Sequence, residues 1–160
     1  MSDSQFTIRL AEKKDTVAIL ACIKALAEYE HMDDQVVATE ELLQEWIFEK
    51  HKAEVLIGEV EGKPVGFALF FHNFSTFLGR AGIYLEDLFV YPEFRGKGYG
   101  KSLLKQLAKI TVERECGRLE WCCLDWNEPS IAFYKSLGAV PMEDWTIYRL
   151  TADTLTNFAK

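Results

Sequence analysis

The stretch Val90-Tyr91-Pro92-Glu93-Phe94-Arg95-Gly96-Lys97-Gly98-Tyr99-Gly100-Lys101 joins an apolar run to a glycine-rich loop and the opening of a helix. Glycines let backbone N–H groups turn toward a ligand, and a helix N-terminus adds roughly half a positive charge, so this segment is an anion cradle that suits a pyrophosphate. A dinucleotide fingerprint needs G-x-G-x-x-G, whereas Gly96, Gly98 and Gly100 are evenly spaced and Lys101 takes the place of the last glycine. A nucleotide P-loop needs G-x-x-x-x-G-K-[ST]; Gly100-Lys101-Ser102 supplies its end, but Arg95 stands where its first glycine belongs. Each pattern fails by one residue. R-x-x-G-x-G fits, at Arg95, Gly98 and Gly100.

Two further groups of residues carry chemistry. Glu86 and Asp87 interrupt an apolar run, Ile83-Tyr84-Leu85-Glu86-Asp87-Leu88-Phe89-Val90. Burying ionised carboxylates is costly, so such residues are paired, at a surface, or functional. Downstream, Asp125-Trp126-Asn127-Glu128-Pro129-Ser130-Ile131-Ala132-Phe133-Tyr134-Lys135-Ser136-Leu137-Gly138-Ala139 sets a phenol, Tyr134, in a short helix opened by Asn127 and Pro129 and closed by Gly138.

The elements that must position these groups are legible in outline. Phe6-Thr7-Ile8-Arg9-Leu10 alternates like a half-buried strand, and Asp15 is the expected N-cap of a helix carrying Val17, Ile19, Leu20, Ile23 and Leu26. Thr39 before Glu40 and Glu41 starts a second helix, with Leu42, Leu43, Trp46 and Ile47. Residues 55–60 and 65–71 read as a hairpin about the turn Glu61-Gly62-Lys63-Pro64, with the Glu86 strand pairing next. After the cradle, Leu103, Leu104, Leu107 and Ile110 line one side of an amphipathic helix expected to end near Gly117 in a left-handed C′ position. Residues 118–124 and 145–150 are expected as further strands. No repeat or linker divides the sequence, so residues 1–160 read as one α/β domain with its core at about residues 6–150.

Composition narrows the classes. The 160 residues carry a net charge of −7, which argues against a duplex nucleic-acid partner and favours cationic substrates. Cys22, Cys116, Cys122 and Cys123 lack C-x-x-C spacing, and Cys122 and Cys123 are expected as buried, reduced thiols. His31, His51 and His72 have no partner at metal spacing, so no metal is expected and they read as surface or edge residues. Met1-Ser2-Asp3-Ser4 has no basic n-region, and no stretch approaches the roughly 18–20 apolar residues of a membrane span. The expectation is a cytoplasmic protein with no membrane partner.

Arg95, Gly98 and Gly100, placed after a Glu-bearing strand and before an amphipathic helix, resemble the GCN5-related N-acetyltransferase (GNAT) superfamily. Asn127, Ser130 and Tyr134 resemble its closing block N-x-x-[AS]-x-x-[FL]-Y-x-x-x-G. Leu26-Ala27-Glu28-Tyr29-Glu30, Tyr84-Leu85-Glu86-Asp87-Leu88-Phe89-Val90 and Trp126-Asn127-Glu128-Pro129-Ser130 look like the spermidine/spermine (diamine) N-acetyltransferases and their thialysine-acetylating relatives. Phe77 stands where the polyamine enzymes carry Trp, and the acidic stretch before the last strand shrinks to Glu143-Asp144.

The resemblance implies a mixed, mostly antiparallel sheet flanked by helices and splayed at the cofactor site. It implies acetyl-CoA held by the backbone of Leu88, Phe89 and Val90, by Arg95, Gly96, Lys97, Gly98, Tyr99, Gly100 and Lys101, and by Asn127, Ser130 and Tyr134. The stripe Lys101, Lys105 and Lys109 either meets a further phosphate of the cofactor or is a solvated face. By the same resemblance Glu86 is a base acting through water, Tyr134 is the acid for the leaving thiolate, and Tyr29, Glu30, Glu86 and Asp87 line the amine site of a homodimer. The physics agrees, because an amine is cationic at neutral pH and must lose a proton before it attacks. The expected acceptor is a diamine or polyamine, with thialysine or another lysine-like amino acid as the alternative. Outside this class stand a non-catalytic acyl-CoA sensor and a P-loop phosphatase resting on Gly100-Lys101-Ser102 alone.

Overall fold

In the computed structural model, which describes residues 5–160, the alternating segments assemble into a five-stranded mixed sheet of order β1-β2-β3-β4-β5. Met1–Ser4, on which the reading of the N-terminus falls, lie outside the described residues. The strands are β1 (Phe6–Leu10), β2 (Glu54–Val60), β3 (Lys63–Ser75), β4 (Arg80–Val90) and β5 (Leu119–Trp121). The first four pair antiparallel, and β5 joins β4 in parallel. The described chain divides into two compact units, the first ending at Cys122 and the second running over Cys123–Lys160.

Helices cover the sheet of the first unit. α1 (Thr16–Tyr29) buries Ile19, Cys22 and Leu26 against Val55, Ile57, Phe67 and Phe89, with Ile47 completing the cluster. Burial of such side chains stabilises by about 1.5–3 kcal/mol each. Ile47 belongs to a π-helical turn, Gln44–Glu49, that continues α2 (Glu40–Leu43); Thr39 caps α2 by accepting from the Leu42 amide at 3.1 Å. α3 (Tyr99–Glu113) buries Leu103, Leu104 and Leu107, and Leu103 approaches Gly58 of β2.

Four local expectations are corrected. Asp15 stands at the N-cap position of α1 as expected, but its side chain makes no capping bond: its buried carboxylate takes a two-pronged bond from Arg9 (2.7 and 2.8 Å) and accepts from the Glu12 amide at 2.7 Å. A guanidinium partner outcompetes the helix N–H groups, and it holds Asp15 below the usual carboxylate range. The left-handed turn after α3 falls on Glu115 (φ 57°) and not on Gly117, since the helix gives out at Arg114. The strand of residues 118–124 shrinks to Leu119–Trp121, whose pairing with β4 stops at Leu85, just before the irregularity at Glu86. Cys122 is exposed and Cys123 half-buried, for the same reason: the chain has left the ladder by then.

The second unit contains α4 (Glu128–Ser136) and α5 (Ala152–Phe158). Asn127 is buried and caps α4 by accepting from the Ser130 amide at 3.4 Å, and Gly138 takes φ 91° to end the turn. Residues 145–150, expected as a strand, form no ladder. Alternation signals a strand only where one face is buried, and Trp145, Ile147 and Tyr148 all stand in the open. α5 was not anticipated from the sequence.

Candidate active site

The defining feature of the site is a misfit of one residue. Leu69 pairs with Asp87, but the next residue of β3, Phe70, pairs with Leu85, so Glu86 is an extra residue in β4. Such a bulge bends the strand and re-aims its side chains. Glu86 is accordingly exposed within a strand whose neighbours Leu85, Phe89 and Val90 are buried. On the opposite edge of β4, β5 pairs with Ile83, Tyr84 and Leu85 and goes no further. From Glu86 to Val90 that edge carries no strand among the described residues. It is a ready acceptor for an extended amide-bearing ligand, which would add to it like a strand.

The bulge brings Glu86, Asp87 and Glu30 into one electrostatic group. The Asp87 carboxyl is pushed up to about 7 by burial first and then by the charges of Glu86 and Glu30. Glu30, in the turn that ends α1, is raised by burial and by Glu86. A patch that strains to hold its negative charges is relieved by a cation.

Arg95 folds back onto the end of β4. Its Nε donates to the Val90 carbonyl at 2.8 Å, and its guanidinium sits 4.9 Å from the Tyr29 ring centre and 5.3 Å from that of Phe89. Tyr29, Phe89, Val90 and Arg95 are thus brought together, with Arg95 folded onto the strand edge.

The glycine-rich loop has the backbone its sequence implies. Gly96 and Gly98 take φ of 77° and 84°, and Gly98 is the N-cap of α3. Nothing lies within 4 Å of where a Cβ would stand on either, so the loop surface is open for phosphate oxygens at a helix N-terminus. The residues therefore fit the pyrophosphate of acetyl-CoA. Tyr99 contributes backbone only, because its ring stacks on Phe6 at 4.1 Å. Lys97 reaches back toward the Phe94 ring, while Lys101, Lys105 and Lys109 stand exposed along α3. In the second unit, Asn127 and Ser130 form the cap of α4, and Tyr134 is half-buried beside Phe133, ring centres 5.5 Å apart.

Sequence reading passed over the polar row beside the bulge. The Tyr84 hydroxyl donates to the Cys122 thiol at 2.8 Å, and Asn73 donates to Glu120 at 3.1 Å across Gly82. A Cβ on Gly82 would stand 2.6 Å from the Asn73 Oδ1 and 3.1 Å from the Arg118 carbonyl oxygen, so a side chain there would push the Asn73 amide aside. The i, i+2 spacing of Tyr84 with Glu86, and of Arg118 with Glu120 and Cys122, was the available signal.

Residues 19–139 match the model of the acetyltransferase (GNAT) family. The chain belongs to that family. This acetyltransferase is 36% identical to a thialysine N-epsilon-acetyltransferase of Bos taurus, over 95% of its own length and 96% of the bovine protein. It is 33% identical over 96% of its length to a spermidine/spermine N(1)-acetyltransferase-like protein 1 of Homo sapiens, of which it spans 24%. Among solved structures, an integron cassette protein of V. cholerae superposes with a TM-score of 0.82 at 29% identity, covering 99% of both chains. The acetyltransferase is an acetyl-CoA-dependent N-acetyltransferase, and its sheet is the α/β scaffold of that family.

Proposed function

We propose that this acetyltransferase modifies the terminal primary amine of a short aliphatic molecule bearing a second cationic group, the class of diamines, polyamines and lysine-like amino acids. The observation that carries this reading is the grouping of Glu30, Glu86 and Asp87 at the bulge of β4. Carboxylates there attract an ammonium and, with one of them exposed to water, lead its proton away. The relatives named for thialysine and for spermidine/spermine support the same class.

In this reading Glu86 removes the proton through water, and the free amine attacks directly. The backbone N–H of Val90 or Phe89 donates to the carbonyl oxygen of the acetyl group as negative charge develops on it. Leu88, Phe89 and Val90 align the extended arm, Gly96 to Lys101 hold the pyrophosphate, and Arg95 leaves the Val90 carbonyl to do so. The role of acid toward the departing sulfur falls to Tyr134, with Asn127 and Ser130 beside it on the same helix as cofactor contacts. A phenol of pKa about 10 is matched to a thiolate of pKa near 8.5. Tyr29, Glu30 and Asp87 receive the acceptor. The family match runs across Cys122 and Cys123, which supports one catalytic domain over residues 1–160. The exposed Trp145, Tyr148 and Phe158 support a homodimer, and free cysteines support a cytoplasmic setting.

The test is release of coenzyme A from acetyl-CoA by wild type and Tyr134→Phe with putrescine, spermidine, spermine, thialysine, lysine and a lysine peptide. Turnover of a small dicationic amine, with kcat lowered about 10²–10⁴-fold in Tyr134→Phe and cofactor binding retained, is expected. Preference for the peptide, or cofactor binding without turnover of any amine, overturns the reading.

A further inference from the structure

The exposed face of β5 carries a charge pair that neither the fold nor the acetyl transfer itself requires. Arg118 Nε lies 3.2 Å from Glu120 Oε1, and both side chains are more than a third exposed. The same Oε1 accepts from Asn73 Nδ2 at 3.1 Å. Both contacts of Glu120 therefore fall on one of its oxygens, and Arg118 spends only its inner nitrogen. Among the described residues the second oxygen, Oε2, accepts no hydrogen bond, and neither Nη group of Arg118 donates one. The pair thus presents an open acceptor beside an open two-pronged donor, the latter matched in geometry to a carboxylate.

Its place in the sheet gives this a meaning. Glu120 is register-paired with Tyr84, and Glu86 follows Tyr84 by two residues on the neighbouring strand. Strand rise and spacing put Glu86 and Glu120 about 8 Å apart at their Cα atoms. An extended side chain of lysine's length spans about 6 Å from its terminal nitrogen to its α-carbon. An acceptor with its amine at Glu86 and its chain laid past Tyr84 toward β5 has its α-carbon at Glu120. Both Glu86 and Glu120 act electrostatically on the Tyr84 phenol, so the two carboxylates share its surroundings.

We propose that Arg118 and Glu120 form the subsite for the distal end of the acceptor and that this end is an α-amino-acid zwitterion, its ammonium on Glu120 and its carboxylate on Arg118. The inference rests on the amine-acetylating reading above and narrows it to lysine-like amino acids. A diamine or polyamine would set a bare cation against the Arg118 guanidinium, which repels it.

The experiment compares thialysine with bis(2-aminoethyl) sulfide, the same chain without the carboxylate. KM and kcat are measured for wild type, Arg118→Gln, Arg118→Lys and Glu120→Gln, alongside calorimetric binding of thialysine. In Arg118→Gln we expect KM for thialysine to rise at least about tenfold with kcat nearly kept, KM for the sulfide diamine to stay level or fall, and Arg118→Lys to restore part of the loss. Unchanged KM for thialysine, or an equal change for both substrates, overturns the subsite. So does an altered KM for acetyl-CoA or a lowered melting temperature that accounts for the loss in every variant. Thialysine binding that is lost in Arg118→Gln, with no acetylation of any amine by wild type, would overturn the activity reading and leave the subsite standing.

Discussion

At the scale of single residues, Asp87 is the most informative group. Half-buried beside two other acids, its carboxyl is pushed up from an ordinary 3.8 to about 7. A raised carboxyl means that the folded chain binds the proton more tightly than the unfolded one. Its contribution to stability is full below about pH 4 and is lost as pH rises toward 7, on the order of 2–4 kcal/mol. Asp87→Asn should therefore melt several degrees higher than wild type at pH 8, with the difference vanishing near pH 4; a constant difference across that range would contradict the assignment. The same ionisation draws in a cationic acceptor. The acceptor KM of wild type should fall between pH 6 and 8, and that of Asp87→Asn should not follow it. Glu86 and Asp87 were legible as chemically charged positions because they break an apolar run. That Asp87 is half-buried while Glu86 is exposed was not, since the bulge is a property of strand pairing.

At the scale of elements, the strand edges decide what the site is. The hairpins of β2, β3 and β4, the cap at Thr39, the cradle before α3 and the cap at Asn127 were all readable, because each is written in adjacent residues. The early end of β5 and the missing strand at residues 145–150 were not, because a strand exists only by its neighbour. Gly66 shows how close the pairing is: a Cβ there would stand 2.5 Å from the Phe89 carbonyl oxygen, a backbone atom that cannot turn aside. Gly66→Ala should cost about 1–3 kcal/mol, with a melting temperature lowered by several degrees. Because Gly66 pairs with Val90, it should also weaken acetyl-CoA binding as the strand edge shifts. Gly62→Ala in the exposed turn, with nothing near its Cβ position, is the control for backbone strain alone.

At the scale of the molecule, a net charge of −7 surrounds a site that in the proposed reading admits a cation and a polyanion alike. The lysines of α3 form an exposed positive stripe, whereas in the proposed reading the acceptor is drawn by the overall field and by the acidic patch. Added salt screens the overall field beyond about 8–10 Å. kcat/KM for the amine should fall several-fold between 50 and 500 mM salt, measured at saturating acetyl-CoA. A salt-independent value would show that only the three carboxylates at the bulge matter.

The single extra residue in β4 also bears on how this scaffold can change by insertion and deletion. Since Leu85 and Asp87 already face adjacent residues of β3, loss of residue 86 leaves every remaining pair of the two strands in register. Removal of Phe67 from the middle of β3 would instead turn part of that strand inside out. A three-nucleotide deletion therefore separates the acetyltransferase from a sheet of regular pairing that keeps its glycine cradle and has no group at the position of Glu86. With Glu86 as the base of the proposed reading, the scaffold stands one codon away from a protein that binds the thioester and leaves it intact.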